Sequence, residues 1–164
     1  MLTIKKILCA VDLAEHNQVV AEYAIALGKA FDAEITVFYA APSLSQYVGF
    51  HVPPSSIEDF VGKIATGADQ SMNEFIAANF TAPDIKVKGV ILSGYAAQKI
   101  IDYAMSNAID IIIMGTHGRT GIGRVLFGSV AEKVVKTSPI PVVTIRPKLG
   151  LEQVKIPSQQ YYLC

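Results

Sequence analysis

The chain has 164 residues, long enough for one domain with a substantial core. Hydrophobic residues make up 51% of it and charged residues 17%, which argues against disorder and for elements buried on more than one face. Fourteen basic and fourteen acidic side chains cancel, and with no sustained basic run the composition argues against a nucleic acid or an anionic membrane as partner.

The opening "MLTIKKILCAVD" carries no secretory apolar region, and no apolar run reaches spanning length. The expectation is a cytoplasmic protein without a membrane span. "IKKILCAV", residues 4–11, reads as a buried strand containing Cys9. The other cysteine is Cys164, so a disulfide framework is not indicated. Asn17 is placed to cap a helix running to about Phe31. Val20, Ala24, Leu27 and Phe31 recur in it at helical spacing and are expected to face the core. "EITVFYA", residues 34–40, is a β-branched and aromatic strand. "APSLSQYVGFHVPPSS" then breaks regular structure with three prolines and a glycine. It is long for an α/β connection and suits a lid or a partner surface.

A long helix is predicted over about 56–80, although Gly62 and Gly67 in its interior weaken the helical propensity. "IKVKGVIL", residues 85–92, gives a third strand. A helix over about 96–107 presents Ile100, Ile101 and Ala104 on one side. "DIIIMG" is the fourth and most hydrophobic strand. A glycine-rich connection leads to a short helix over 129–137, ended by Pro139 and Pro141. "PVVTIRP" makes the fifth strand. This alternation predicts an α/β fold, a doubly wound five-stranded parallel sheet with helices on both faces. Ligands in such sheets bind beyond the carboxyl ends of the strands, where the strand order reverses. The domain is expected over 1–147, followed by an unplaced polar-rich tail over 148–164.

The connection after the fourth strand holds five glycines and two arginines between Gly115 and Gly128. It ends at a helix N-terminus, whose open amides and dipole attract anions. Gly128 leaves room for an oxyanion at the backbone, and Ser129 offers a hydroxyl as well as its amide. Arg119 and Arg124 are placed to neutralise phosphate from the rim. Each feature also has a plainer reading. Ser129 and Glu132 fit a capping box, the arginines fit solvated surface charges, and Asp12 fits a cap of the turn after the first strand. His117 fits either a phosphate contact or a solvated loop residue. No P-loop, metal-ligand spacing or catalytic motif is present, and no residue is nominated as a catalytic base.

Gly115-Thr-His-Gly118, nine residues, then Gly128-Ser129 fill the pattern G-x2-G-x9-G-[ST]. With "KKILCAVD", "MGTHGRTG", "GSVAEKVV" and "SPIPVVTIRP", the sequence over residues 1–147 resembles the nucleotide-binding members of the universal stress protein family. The resemblance implies an ATP-binding, usually dimeric stress-response protein with strand order 3-2-1-4-5. It implies that Asp12 meets the ribose or adenine end and that the backbone near Ala40 reads the adenine edge. Met114 and Gly115 would contact the ribose region. Gly118, Gly128, Ser129 and Val130 would hold the phosphates through backbone amides, with the Ser129 hydroxyl added. Mg2+ would bind mainly through phosphates and water. One departure is Leu13-Ala14, where the family often has Gly-Ser: a hydroxyl is lost and a bulky side chain gained beside the expected pocket.

These residues support binding better than turnover, and the expected function is a nucleotide-responsive regulatory module with an unknown protein partner. The alternatives are a slow ATP hydrolase or nucleotide-transfer enzyme, and a partner-binding module without nucleotide. AMP or another adenine nucleotide is the alternative ligand. In the implied order "PVVTIRP" is an edge strand that invites a homodimer, unless Pro141, Pro147 and the tail protect it.

Overall fold

The structure is a computed structural model and describes residues 3–13, 17–43, 54–116 and 128–146. Strands and helices alternate: β1 (Lys6–Ala10), α1 (Gln18–Phe31), β2 (Glu34–Ala41), α2 (Pro54–Asn79), β3 (Val87–Ser93), α3 (Ala96–Ser106), β4 (Ile111–Gly115), α4 (Ser129–Thr137) and β5 (Val142–Ile145). The strands form one parallel sheet in the order β3-β2-β1-β4-β5, as the resemblance implied. β1 and β4 are therefore adjacent, with Ala10 opposite Met114, and the connections leave them in opposite directions.

The apolar runs become strands because both faces of the sheet are covered. Side chains alternate along β1. Ile7, Cys9 and Val11 join Val20, Ala24, Met72 and Phe75 in a core beneath α1 and α2. Leu8 and Ala10 join Phe38, Ile100, Ala104, Ile112 and Val134 in a second core beneath α3 and α4. Burial pushes the Cys9 thiol up to about 12, so it packs as a small hydrophobe rather than a nucleophile.

Most predicted elements form within a residue or two of the expected bounds, and the differences have physical causes. β3 begins at Val87 rather than at residue 85. α2 begins at Pro54, where the missing N–H costs nothing in the first turn, and continues through the interior glycines. The predicted lid or partner surface thus shortens, and its residues 44–53 lie outside the described ones. Phe31, expected in the core, is 41% exposed. The contact with β2 is made one turn earlier by Gly28, where a Cβ would stand 2.8 Å from Ile35 Cδ1. That close approach brings the helix backbone onto the sheet. Val20 and Ala24 are fully buried, and Leu27 packs partly buried against the same core. No helix among the described residues is long and apolar enough to cross a membrane.

Candidate functional site

A cavity of about 260 Å³ opens at the carboxyl ends of β1 and β4. Five elements and Asn17 wall it. The end of β1 contributes Ala10, Val11 and Asp12, and the end of β2 contributes Phe38, Tyr39 and Ala40. Met114, Gly115 and Thr116 come from β4 and its exit, and Gly128, Ser129, Val130 and Ala131 from the start of α4. Ala96 and Ile100 of α3, one helical turn apart, complete the apolar side.

Asp12, Ala40, Met114, Gly115, Gly128, Ser129 and Val130, all singled out from the sequence, meet in this cavity. Gly118 and Arg119 lie outside the described residues, as do His117 and Arg124. Asn17, Phe38, Ala96, Ile100, Thr116 and Ala131 also line the cavity and were not singled out as site residues. Ile100 carried a visible signal as a core position on α3. It lies where the α3/α4 core meets the cavity and serves both.

The start of α4 explains what this wall can hold. Gly128 is the N-cap, with extended backbone (φ −71°, ψ 156°) and no side-chain cap hydrogen bond. The capping box, the plainer reading of Ser129 and Glu132, does not form. Ser129 is already the first helical residue, and Glu132 pairs instead with Lys136 at 2.6 Å. The first intrahelical bond runs from Glu132 N to Gly128 O at 2.9 Å. The amides of Ser129, Val130 and Ala131 precede it and have no acceptor inside the helix. The Gly128 amide is engaged differently, donating to the Thr116 carbonyl at 2.6 Å across the base of the loop. Thr116 is anchored in turn, its amide donating to Ile145 O at 2.9 Å. Ser129, Val130 and Ala131 therefore supply the helix-start amides at this wall.

Asp12 holds the opposite wall. Its Oδ1 accepts a hydrogen bond from the side-chain amide of Asn17. Asn17 occupies the N-cap position of α1 but makes no side-chain cap bond there. The departure at Leu13 resolves in the backbone. Leu13 adopts the left-handed region, φ 59°, which costs an L-residue about 1–2 kcal/mol. Its side chain packs against the α1/α2 core and lines a separate hollow with Gln18, Glu74 and Phe75. The bulk gained at this position is thus turned away from the cavity, and Leu13 is not among its lining residues.

The cavity has an acceptor at Asp12, open amide donors at α4 and an apolar side made by Phe38, Ile100, Met114 and Ala131. It sits at the topological switch point. These features define a doubly wound α/β protein with a cavity at the strand ends, where such sheets take their ligands. The universal stress protein family model matches residues 3–146, and the chain belongs to that family. It is 30% identical over 142 residues to universal stress protein MJ0531 of Methanocaldococcus jannaschii, covering 87% of this chain and 82% of that protein. Universal stress protein UspA from Lactobacillus plantarum superposes with a TM-score of 0.76 at 25% identity, over 89% of this chain and all of that one. A universal stress protein from Archaeoglobus fulgidus, solved in complex with dAMP, shares the fold with a TM-score of 0.62 at 16% identity, over 88% and 98% of the two chains.

Proposed function

We propose that this chain is an ATP-binding universal stress protein that acts in the cytoplasm as a nucleotide-responsive regulatory module. One observation carries the reading: a carboxylate, an apolar wall and the open amides of a helix start face one cavity at the switch point. In this reading the base lies against Phe38, Ile100 and the backbone at Ala40. The ribose lies between Asp12 and residues 114–115, and the phosphates reach Ser129, Val130 and Ala131. Gly118 and Arg119 join the phosphate end from the glycine-rich connection. Charge-assisted hydrogen bonds of this kind contribute roughly 1.5–3 kcal/mol each before ordering costs. The dAMP complex of the Archaeoglobus fulgidus relative supports an adenine nucleotide as ligand.

Asp12 is the one carboxylate among the described residues lining the cavity. Mg2+ would therefore arrive with the nucleotide and take most of its oxygens from phosphates and water. β5 stands at the edge of the sheet and would pair two copies into a dimer. A regulatory response requires that two conformations of the protein differ in nucleotide affinity, since only that difference shifts their populations.

The test is thermal unfolding of the purified full chain with and without MgATP, with AMP in parallel. At 100-fold excess over Kd a ligand stabilises the fold by about 2.7 kcal/mol, which raises Tm by several degrees. An unchanged Tm with both nucleotides, together with no nucleotide released on denaturing the freshly purified protein, would contradict the reading.

A further inference from the structure

Asn17 is a residue type that commonly caps a helix, and it stands where α1 needs a cap. Its backbone, however, is helical (φ −81°, ψ −3°), and its side chain makes no cap hydrogen bond. A cap of this type ordinarily stabilises the start of a helix. The Asn17 side chain is instead buried, 3% exposed, and its amide reaches back to Asp12 Oδ1. Both residues line the same cavity. Leu13, next to Asp12, adopts the left-handed region, φ 59°. The neighbouring amide, Gln18, is committed elsewhere, donating to Glu22 at 3.2 Å.

We propose that Asn17 is a positioning residue: it holds the Asp12 carboxylate in the cavity wall so that the carboxylate accepts from a hydroxyl or amine of the ligand. The proposal rests on the nucleotide reading and deepens it. A carboxylate is acceptor-only, and the Asn17 donor fixes its plane through Oδ1. The cavity thereby acquires a direction. Ligand hydroxyls or amines are taken at the Asp12 end, and ligand anions at the amides of residues 129–131. A molecule carrying a hydroxylated sugar and an anion some atoms away satisfies both ends; a molecule with an anion at each end does not. Asn17 touches no ligand in this account and acts through Asp12 alone.

The experiment is titration calorimetry of the full chain with MgATP, for wild type, Asn17→Leu, Asp12→Ala and the double variant. Asn17→Leu keeps the branched shape of the side chain, with somewhat greater bulk, and removes the donor. About a tenfold loss of affinity is expected for it. The double variant should bind no more weakly than Asp12→Ala alone, because the two residues act as one unit. Asn17→Asp supplies a second readout and covers the case in which Asn17→Leu does not fold. Two adjacent carboxylates share a proton at low pH, which restores a hydrogen bond between them. The affinity of that variant relative to wild type should therefore rise several-fold between pH 8 and pH 5.5. Tyr39 is the other titratable side chain among the described residues lining the cavity.

Wild-type affinity in Asn17→Leu would overturn the positioning role while leaving nucleotide binding intact. Losses that multiply in the double variant would do the same, as would an Asn17→Asp variant whose relative affinity is flat with pH. A wild-type protein that binds neither ATP nor AMP would overturn the nucleotide reading and this role with it.

Discussion

Asp12 and Asp110 flank neighbouring strands at opposite ends of the sheet, and their surroundings differ completely. Asp110 precedes β4. Its Oδ2 accepts the backbone amides of Lys5 and Lys6 at 2.7 and 2.9 Å, and its own amide donates to Lys6 O at 2.9 Å. Around it Lys6 Nζ donates to Asn107 O at 3.0 Å, and Lys5 Nζ to Phe31 O at 3.3 Å. At this lower end the polar groups are used to tie the chain to itself. At the upper end the Asp12 carboxylate and the first amides of α4 border a cavity. The contrast follows from parallel topology: all strands point the same way, so one end collects connections that only join elements and the other collects those that face a ligand.

Four substitutions test how far the two ends differ. Asp12→Ala should weaken MgATP binding roughly 30-fold, about 2 kcal/mol, as measured by calorimetry. Asp110→Ala should do the reverse. It removes the acceptor for two backbone amides and should lower unfolding stability by about 1.5 kcal/mol in urea, with ATP affinity unchanged. Equal effects of the two variants on affinity would erase the distinction between the ends.

Gly67→Ala is a control away from both ends. Nothing stands within 4 Å of the added Cβ in α2, so helix propensity alone acts. Stability should rise by about 0.5–1 kcal/mol without a change in binding. The smallest effect is expected at the lower end of β2. There the hydrogen bond from Lys88 Nζ, at 2.6 Å, holds the Glu34 carboxyl below its ordinary value, against the opposing effect of burial. A lowered folded-state value stabilises the protein above the unfolded carboxylate range, near pH 4.3, and the gain is lost as pH falls through the folded value. Both side chains are substantially exposed, so Glu34→Gln should cost at most about 0.5 kcal/mol at pH 7. That cost should vanish in acid, as urea melts at pH 7 and pH 3 would show.

The sequence made much of this legible, and the limits are physical. Apolar runs bounded by glycine, proline and asparagine are strands because a doubly covered sheet hides both faces. The junction of β4 and α4 was visible because glycine is costly wherever it has no conformational or steric task. The sign of φ at Leu13 was not legible, since nothing local favours a left-handed leucine; the packing against α2 supplies the reason. Nor was the role of Asn17, because the same side chain serves equally as a cap or as a partner to a nearby carboxylate, and only the tertiary arrangement decides. Phe31 follows the helical stripe correctly in angle, yet Gly28 makes the close contact with β2 one turn earlier.

Backbone amide shifts followed by NMR as MgATP is added would separate the two ends of the sheet in one titration. Saturable shifts are expected at Asp12, Met114, Gly115, Thr116, Ser129, Val130 and Ala131, with Lys5, Lys6 and Asp110 unmoved. Saturable shifts confined to other surfaces, or none at millimolar MgATP, would contradict the nucleotide reading.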